Sequence, residues 1–324
     1  MTINPFAEHM SSPAPTPASK IGIDAAVLSG FRLIRREPLA VLAWGLVYVL
    51  FNLACFALFA PVYLNAFANA RAMAGAAAAG PSALTADALR IQGLGMLLGV
   101  VGMIMRAIQT CAVSRAVLRP GDRRFGYLRL GTAELCLALI YLGLYFATLI
   151  AVLVLVMAFS LLTAALYLAH ALQVAVVLDL LAFVAAVSAA IYVSLRLSLI
   201  APLVVEDEKP HFARSWIITR GHAGALLAVA LCLFGILIAM EVLLVGVLLF
   251  VAAAHLSTLS QGAEGSARVT AFFARSPAAI LSAILPYVAG LSVIAVPLAG
   301  AAWAIIAAPW ARAYVDLRRA SPAL

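Results

Sequence analysis

Six long apolar runs alternate with short polar segments along the 324 residues of the chain. An α-helix needs about 20 apolar residues to cross roughly 30 Å of hydrocarbon. Every run is long enough for such a crossing, and the six cover residues 38–64, 91–118, 134–168, 172–205, 224–255 and 279–314. The pattern therefore predicts six transmembrane helices.

The last of these runs is longer than one perpendicular crossing requires. It contains Pro286 and Pro297, and proline removes a helical hydrogen bond and crowds the preceding turn. We therefore expect either a kink or a separate short helix before the sixth span.

The overall composition excludes an ordinary soluble domain. Hydrophobic residues make up 66% of the chain and charged residues only 10%, whereas soluble domains carry about 25% charged residues. The mean hydropathy is +1.11. Together with the six runs, these values predict an all-α fold, that of a polytopic helical membrane protein.

Lysine and arginine residues concentrate on one side of the predicted spans. They cluster before span one, between spans two and three, between spans four and five, and after span six. Because short basic flanking segments stay in the cytoplasm, both termini are predicted to be cytoplasmic. This topology also accounts for the net charge of +8, so no nucleic-acid partner is predicted.

The first 20 residues are rich in Ser, Pro and Ala and contain no apolar core. They are predicted to form a disordered cytoplasmic tail, because they resemble neither a signal peptide nor a folded module. Span one then serves as an uncleaved targeting signal, which favours a bacterial cytoplasmic (inner) membrane. Residues 21–319 are predicted to form a single helical membrane domain, and residues 320–324 a short cytoplasmic tail.

Three short segments that mix aromatic residues with arginine precede spans one, three and five, at residues 30–36, 125–131 and 212–221. Rings and aliphatic side chains suit the acyl boundary and guanidinium groups suit phosphate, so each segment predicts an amphipathic helix in the head-group layer. We call these three segments the elbows. Their period of roughly 90 residues indicates a weak internal repeat, in which each elbow leads into a hairpin of two spans.

Three ionisable residues fall inside the spans: Arg106 in span two, Asp179 in span four and Glu241 in span five. A charge within lipid costs about 2.5 to 3.5 kcal/mol on insertion scales unless it is paired or faces water. Arg106 and Glu241 are the predicted partners of a buried ion pair that fixes helix register. The alternative is that they form a gate or relay in a transporter. Asp179 is expected to contact water in the outer leaflet.

The segment 196–221 joins the end of span four to the third elbow. Pro202 is expected to bend or end the helix, and Arg214 is expected to pair with Glu206 across the bend. Two interpretations stay open: recognition of an anionic lipid head group or a cytoplasmic partner, and a purely structural joint. The candidate binding residues are Arg196, Glu206, Arg214, Ser215, Trp216, Thr219 and Arg220.

The same segment resembles the signature of the glycerophosphoryl diester phosphodiesterase membrane-domain family, through Arg196-Leu197, Pro202, Glu206, Ala213–Trp216 and Thr219–Gly221. In that family the membrane domain can be fused to a separate catalytic barrel, and many members consist of the membrane part alone. No soluble stretch of this chain is long enough for such a barrel. The resemblance therefore implies a helical membrane domain and carries over no catalytic residues.

The sequence contains no catalytic or metal-binding pattern. Its four cysteines stand singly inside or at the ends of spans, and no two histidines are four residues apart. We therefore predict no catalytic site, no cofactor and no metal.

The predicted function is a non-enzymatic scaffold or accessory protein of membrane homeostasis, with membrane lipids, anionic ones included, and an unidentified protein as partners. The alternative is a transporter or lipid-handling protein with a cavity lined by spans two, four and five.

Overall fold

The computed structural model describes residues 21–75, 81–168, 172–260 and 275–320, together with the single positions 265, 267 and 271. Residues 1–20 and 321–324, which hold the two predicted tails, lie outside the described residues. Within the described ranges ten helices have defined bounds, and no strand occurs. The helices are α1 (Ile23–Val27), α2 (Ser29–Arg36), α3 (Pro38–Gly75), α4 (Pro81–Leu118), α5 (Thr132–Leu168), α6 (Leu172–Leu197), α7 (Ile200–Asp207), α8 (Phe212–Ile218), α9 (Ala223–Ser260) and α10 (Pro277–Ala320).

Six helical segments are long and apolar enough to cross a membrane. The chain is thus an all-α polytopic helical membrane protein, and the prediction of six spans is confirmed. The segments are Pro38–Ala60, Ile91–Leu118, Arg124–Leu168, Gln173–Asp207, Ala223–Val247 and Leu285–Arg319.

One end of the bundle, which we call the elbow face, is where α3, α5 and α9 begin and where α4, α7 and α10 end. Polar contacts tie these helix ends together. Arg36 Nη2 donates to the Ala116 carbonyl oxygen over 2.9 Å, and Arg119 Nη2 donates to the Glu206 carbonyl oxygen over 3.2 Å. The short helices α1, α2 and α8 lie at this same end.

The buried core also lies near the elbow face. Its largest fully buried side chains include Trp44, Tyr127 and Tyr314. Toward the opposite end α5 exposes apolar side chains around nearly its whole circumference, as at Leu153 and Met157. A helix that is apolar on every side and exposed suits contact with lipid tails.

Helix α10 packs most extensively against α3, although α9 precedes it in the chain. The two backbones come closest at Gly45 and Gly300. A methyl group on Gly45 would overlap the carbonyl oxygen of Val296, and a methyl group on Gly300 would overlap that of Val41. Small residues allow membrane helices to approach in this way. The last helix therefore closes the bundle against the first.

The second elbow is not a helix, so this part of the prediction is wrong. Residues Arg124–Tyr127 form a tight turn in which Phe125, Gly126 and Tyr127 have φ of 50°, 63° and 66°. Consecutive left-handed residues cannot continue a right-handed helix. Trp44 Nε1 donates to the Gly126 carbonyl oxygen over 2.7 Å, and the buried Tyr127 hydroxyl donates to that of Pro120 over 3.0 Å. The other two elbows contain the helices α2 and α8.

Of the two alternatives predicted before span six, a kink or a separate short helix, the separate helix does not occur within residues 277–320. Helix α10 runs without interruption from Pro277 to Ala320, with Pro286, Pro297 and Pro309 inside it. Membrane helices tolerate proline because neighbouring helices and hydroxyl side chains can satisfy the freed backbone groups.

Candidate binding site at the third elbow

The fourth span contains a break between α6 and α7, a few residues before Pro202, where a bend or an end of the helix was expected. Helix α6 ends at Leu197 and α7 begins at Ile200. Pro202 is the third residue of α7, in the first turn, where its missing N–H costs no intrahelical hydrogen bond. The break leaves the carbonyl groups at the end of α6 without their usual helical donors.

Ser215 and Thr219 attach α8 to this break. The Ser215 hydroxyl donates to the Arg196 carbonyl oxygen over 2.8 Å. The Thr219 hydroxyl lies 3.5 Å from the same oxygen and donates to the Ser215 carbonyl oxygen over 2.8 Å. Both side chains are fully buried. These two predicted site residues therefore hold the joint together and cannot reach a ligand.

The Arg196 side chain is buried between two aromatic rings. Its guanidinium carbon lies 5.0 Å from the ring centroid of Tyr192 and 5.5 Å from that of Trp216. The two rings meet edge to face with centroids 6.0 Å apart. Arg196 as a whole is only 8% exposed. Cation–π attraction therefore supports this charge in the last turn of α6.

Two of the guanidinium nitrogens of Arg196 have no acceptor. Nη2 donates to the Tyr192 hydroxyl over 2.7 Å. Nε and Nη1 are buried and find no hydrogen-bond partner among the residues that the structure describes, and no carboxylate there forms an ion pair with Arg196. Buried donors are normally satisfied. Arg214 and Arg312 each have one such nitrogen but form ion pairs, so Arg196 differs in having two and no counter-charge among the described residues.

Three consecutive acidic residues at the end of α7 reach three different helices. Glu206 accepts hydrogen bonds from the Tyr314 hydroxyl and from Arg318, both on α10. Asp207 pairs with Arg214 over 2.6 Å on α8. The third acid, Glu208, accepts from the Thr132 hydroxyl over 2.5 Å at the start of α5.

The predicted pair of Arg214 with Glu206 is therefore wrong by one residue. Arg214 contacts Asp207, and the Glu206 carboxylate points toward α10. Asp207 also lies 3.5 Å from Nε2 of His211. Adjacent residues of a helix point in different directions, and the sequence pattern does not show which of them faces a given partner.

Two predicted site residues remain exposed at the third elbow. Trp216 is 40% exposed, and its ring forms one side of the cover over Arg196. Arg220 is exposed just after α8, ahead of the turn at Gly221, whose φ of 85° favours glycine. Both side chains are placed where a ligand from the surroundings can reach them.

The ionisable residues predicted inside the spans do not come together. Arg106 is exposed on α4, with its guanidinium carbon 5.5 Å from the centroid of the Tyr141 ring. Glu241 is exposed on α9, and these two described residues form no ion pair. The predicted Arg106–Glu241 pair is therefore wrong. Asp179 accepts a hydrogen bond from the Thr163 hydroxyl over 2.7 Å, between α6 and α5.

Neither of the two grooves found among the described residues lies between spans two, four and five, where a cavity was expected. Helix α4 packs extensively on α5, α7 and α10, not on α6 or α9. The groove that Asp179 lines lies between spans three and four. The transporter alternative stays a prediction from the sequence.

Among the described residues, Arg115 and Glu134 form an ion pair that is buried on both sides, and the sequence pattern did not indicate it. Arg115 is 7% exposed and Glu134 is 3% exposed. Glu134 also accepts from the Gly131 N–H over 3.1 Å, and Arg115 Nη1 donates to the Tyr127 carbonyl oxygen over 3.3 Å. A carboxylate three residues into a helix that bonds back to the preceding N–H is the capping-box arrangement. That spacing was the available signal in the sequence.

Among the described residues, no group of three or more His, Cys, Asp and Glu side chains is arranged to hold a metal ion. Comparison of the chain with protein-family models, with curated proteins and with solved structures finds no match. The resemblance to the glycerophosphoryl diester phosphodiesterase membrane-domain family therefore stays a prediction from the residues at the third elbow.

Proposed function

We propose that the chain is a non-enzymatic integral protein of a bacterial inner membrane that binds the phosphate of an anionic lipid at its third elbow. The observation that carries the proposal is the buried guanidinium of Arg196, whose Nε and Nη1 have no acceptor in the described structure. A buried cation without a counter-charge is costly. A phosphate oxygen would supply both the charge and the acceptor.

The surroundings of Arg196 fit the head-group layer of a bilayer. The residue lies in the last turn of α6, next to the break that leads to α7 and to α8 at the elbow face. Tyr192 and Trp216 are the residue types enriched at membrane–water interfaces. The exposed side chains of Lys209 and Arg220 add positive charge to the same face, which attracts anionic lipids.

Buried hydrogen bonds fix one side of the site, and an exposed aromatic ring covers the other side. Ser215 and Thr219 fix α8 against the end of α6 by buried hydrogen bonds. Trp216 projects from α8, is partly exposed and lies over the guanidinium. Rotation of the Trp216 ring gives a phosphate access to Arg196 while α8 stays attached to the end of α6.

A bound lipid would serve an architectural role in this proposal. The third elbow packs where α6 and α7 meet, and the acidic residues at the end of α7 connect α7 with α5, α8 and α10. A lipid held at this joint couples the hairpins to the surface of the membrane. This role agrees with a scaffold or accessory protein of membrane homeostasis, and the basic elbow face is proposed to lie in the cytoplasm.

The experiment is lipid retention by the purified protein. Wild-type protein, Arg196→Gln and Arg312→Gln are purified in a mild detergent, and co-purifying phospholipids are quantified by mass spectrometry. Arg312 is the matched control, because it lies near the elbow face but pairs with Asp316 over 3.0 Å. We expect retention of anionic phospholipid to fall about tenfold in Arg196→Gln, as for the loss of one charged hydrogen-bonded contact, and to stay unchanged in Arg312→Gln. Equal retention by all three proteins would contradict the proposal.

A further inference from the structure

A second, independent feature lies between the outer halves of α5 and α6. A groove of about 690 Å³ is lined by both helices of this hairpin. Its volume falls within the range of about 300 to 1,000 Å³ that small-molecule sites occupy. The groove is mostly apolar, and one acidic residue, Asp179, lies on its wall.

The carboxylate of Asp179 is only half satisfied. Oδ2 accepts from the Thr163 hydroxyl over 2.7 Å, whereas Oδ1 is buried and has no hydrogen-bond partner among the described residues. Ser160 also lines the groove, but its hydroxyl donates to the Val156 carbonyl oxygen over 2.8 Å. One carboxylate oxygen of this groove-lining residue is therefore left without a donor among the described residues.

The hairpin supplies no lysine or arginine to balance this acid. Residues 130–195 contain neither residue type. The histidine of that stretch, His170, lies outside the described residues. A carboxylate surrounded by hydrocarbon is costly unless a cation or a hydrogen-bond donor accompanies it. Thr163 supplies a donor to one carboxylate oxygen, but no lysine or arginine of the hairpin can supply a counter-charge.

Two aromatic rings flank the position that a cation would take. Phe159, Thr163 and Tyr167 are each four residues apart on α5, so they form one stripe along the helix, and all three line the groove. Aromatic faces attract ammonium groups. Thr163 holds the carboxylate at the centre of this stripe.

We propose that the groove binds an amphiphile with a cationic ammonium head and an apolar tail. The ammonium group contacts Asp179 Oδ1 between the rings of Phe159 and Tyr167. The tail follows the apolar wall at Val156 and Leu168. Tyr167 is 66% exposed, so the groove opens toward the lipid and the ligand enters from the bilayer. This site is separate from the elbow, and its failure would leave the proposed function untouched.

The test is equilibrium binding of radiolabelled dodecyltrimethylammonium to the full chain in non-ionic maltoside micelles, with protein-free micelles as the blank. We expect one saturable site in the wild-type protein. Asp179→Asn should weaken binding about tenfold, as expected for loss of a buried charge pair. Glu241→Gln is the matched control, because Glu241 is also an acid inside a span but lies on the exposed face of α9, and it should bind as the wild type does.

A second variant keeps the proposal testable if Asp179→Asn fails to fold. Ala164 lines the groove and is exposed, so Ala164→Leu fills the groove without touching the carboxylate. It should weaken binding by a similar factor.

Displacement of the probe by phosphatidylethanolamine would identify a lipid head group as the source of the ammonium, and displacement only by dodecylammonium would identify a free organic cation. Unchanged binding in both groove variants, or equal displacement by uncharged dodecanol, would overturn the proposal.

Discussion

Most charged side chains near the elbow face have a specific partner. Arg115 pairs with Glu134, Arg123 with Glu37 over 2.9 Å, and Arg318 with Glu206. The Arg115–Glu134 pair is buried on both sides, whereas Arg123 and Arg318 are largely exposed. Breaking the buried pair leaves a charge without compensation in an apolar environment.

The Arg115–Glu134 pair gives a direct test at this scale. Glu134→Gln should destabilise the protein by about 3 to 5 kcal/mol, because it leaves Arg115 buried without a counter-charge. Thermal unfolding in detergent measures the change, with the exposed Glu241→Gln as control. The double variant Arg115→Met with Glu134→Leu should recover most of the loss. A single-variant loss no larger than that of the control would contradict this expectation.

The sequence identified the third elbow but assigned several of its contacts wrongly. Composition and position along the chain were sufficient to select the segment that contains Arg196, Ser215 and Thr219. The partner of Arg214 depends on the direction in which each carboxylate of α7 points, and that direction follows from the break before Ile200. Long-range partners such as Tyr314, which follows Glu206 by 108 residues, leave no local pattern in the sequence.

At the scale of helices, the contact between α3 and α10 depends on two glycines. Gly45 and Gly300 allow the two backbones to meet without intervening side chains. Membrane helices gain little from hydrophobic association, since lipid tails are equally apolar, so close packing of this kind is a main source of their affinity.

We expect Gly45→Ala to destabilise the bundle by about 1 to 3 kcal/mol or more, because the added methyl group would overlap the Val296 backbone. Gly235→Ala is the matched control, since a methyl group at that position of α9 meets no atom within 4 Å. Thermal unfolding of both variants checks the difference. A loss of stability at Gly235 equal to that at Gly45 would show that helix packing at the crossing is not the cause.

The six spans could be predicted from the lengths of the apolar runs alone, because the thickness of the hydrocarbon layer sets the minimum length of a spanning helix. The second elbow could not be predicted in the same way. Its residues, Phe125, Gly126 and Tyr127, match the aromatic and basic composition of the other elbows, yet all three have positive φ. Burial of the Tyr127 ring and the bond from Trp44 stabilise that turn, and both involve contacts beyond the local sequence.

At the scale of the whole molecule, the two ends of the bundle differ. The elbow face contains the buried core, the ion pairs and most of the basic residues. The opposite halves of α5 and α6 consist largely of exposed apolar side chains. Stability therefore comes mainly from one end, and the other end has a large surface for lipid.

The basic elbow face leads to a prediction of orientation. Single cysteines are introduced at Lys209, exposed on the elbow face, and at Leu89, exposed near the opposite end, in a chain without its four native cysteines. A membrane-impermeant maleimide added to intact spheroplasts should label Leu89→Cys only. Lys209→Cys should react after permeabilisation, because basic flanks stay in the cytoplasm. The reverse pattern of labelling would place both termini outside.

The three consecutive carboxylates at the end of α7 also limit how the chain around them can change in length. Helical residues advance by about 100° each around the axis, and Glu208 leaves α7 in a left-handed conformation with φ of 54°. Glu206, Asp207 and Glu208 therefore project in separate directions from one short stretch. Inserting a single residue before them would turn all three carboxylates by about 100° around the helix axis. Each carboxylate would then face the partner of an adjacent one. The loop next to them can vary in sequence, but the rotational phase of these three residues has to be kept.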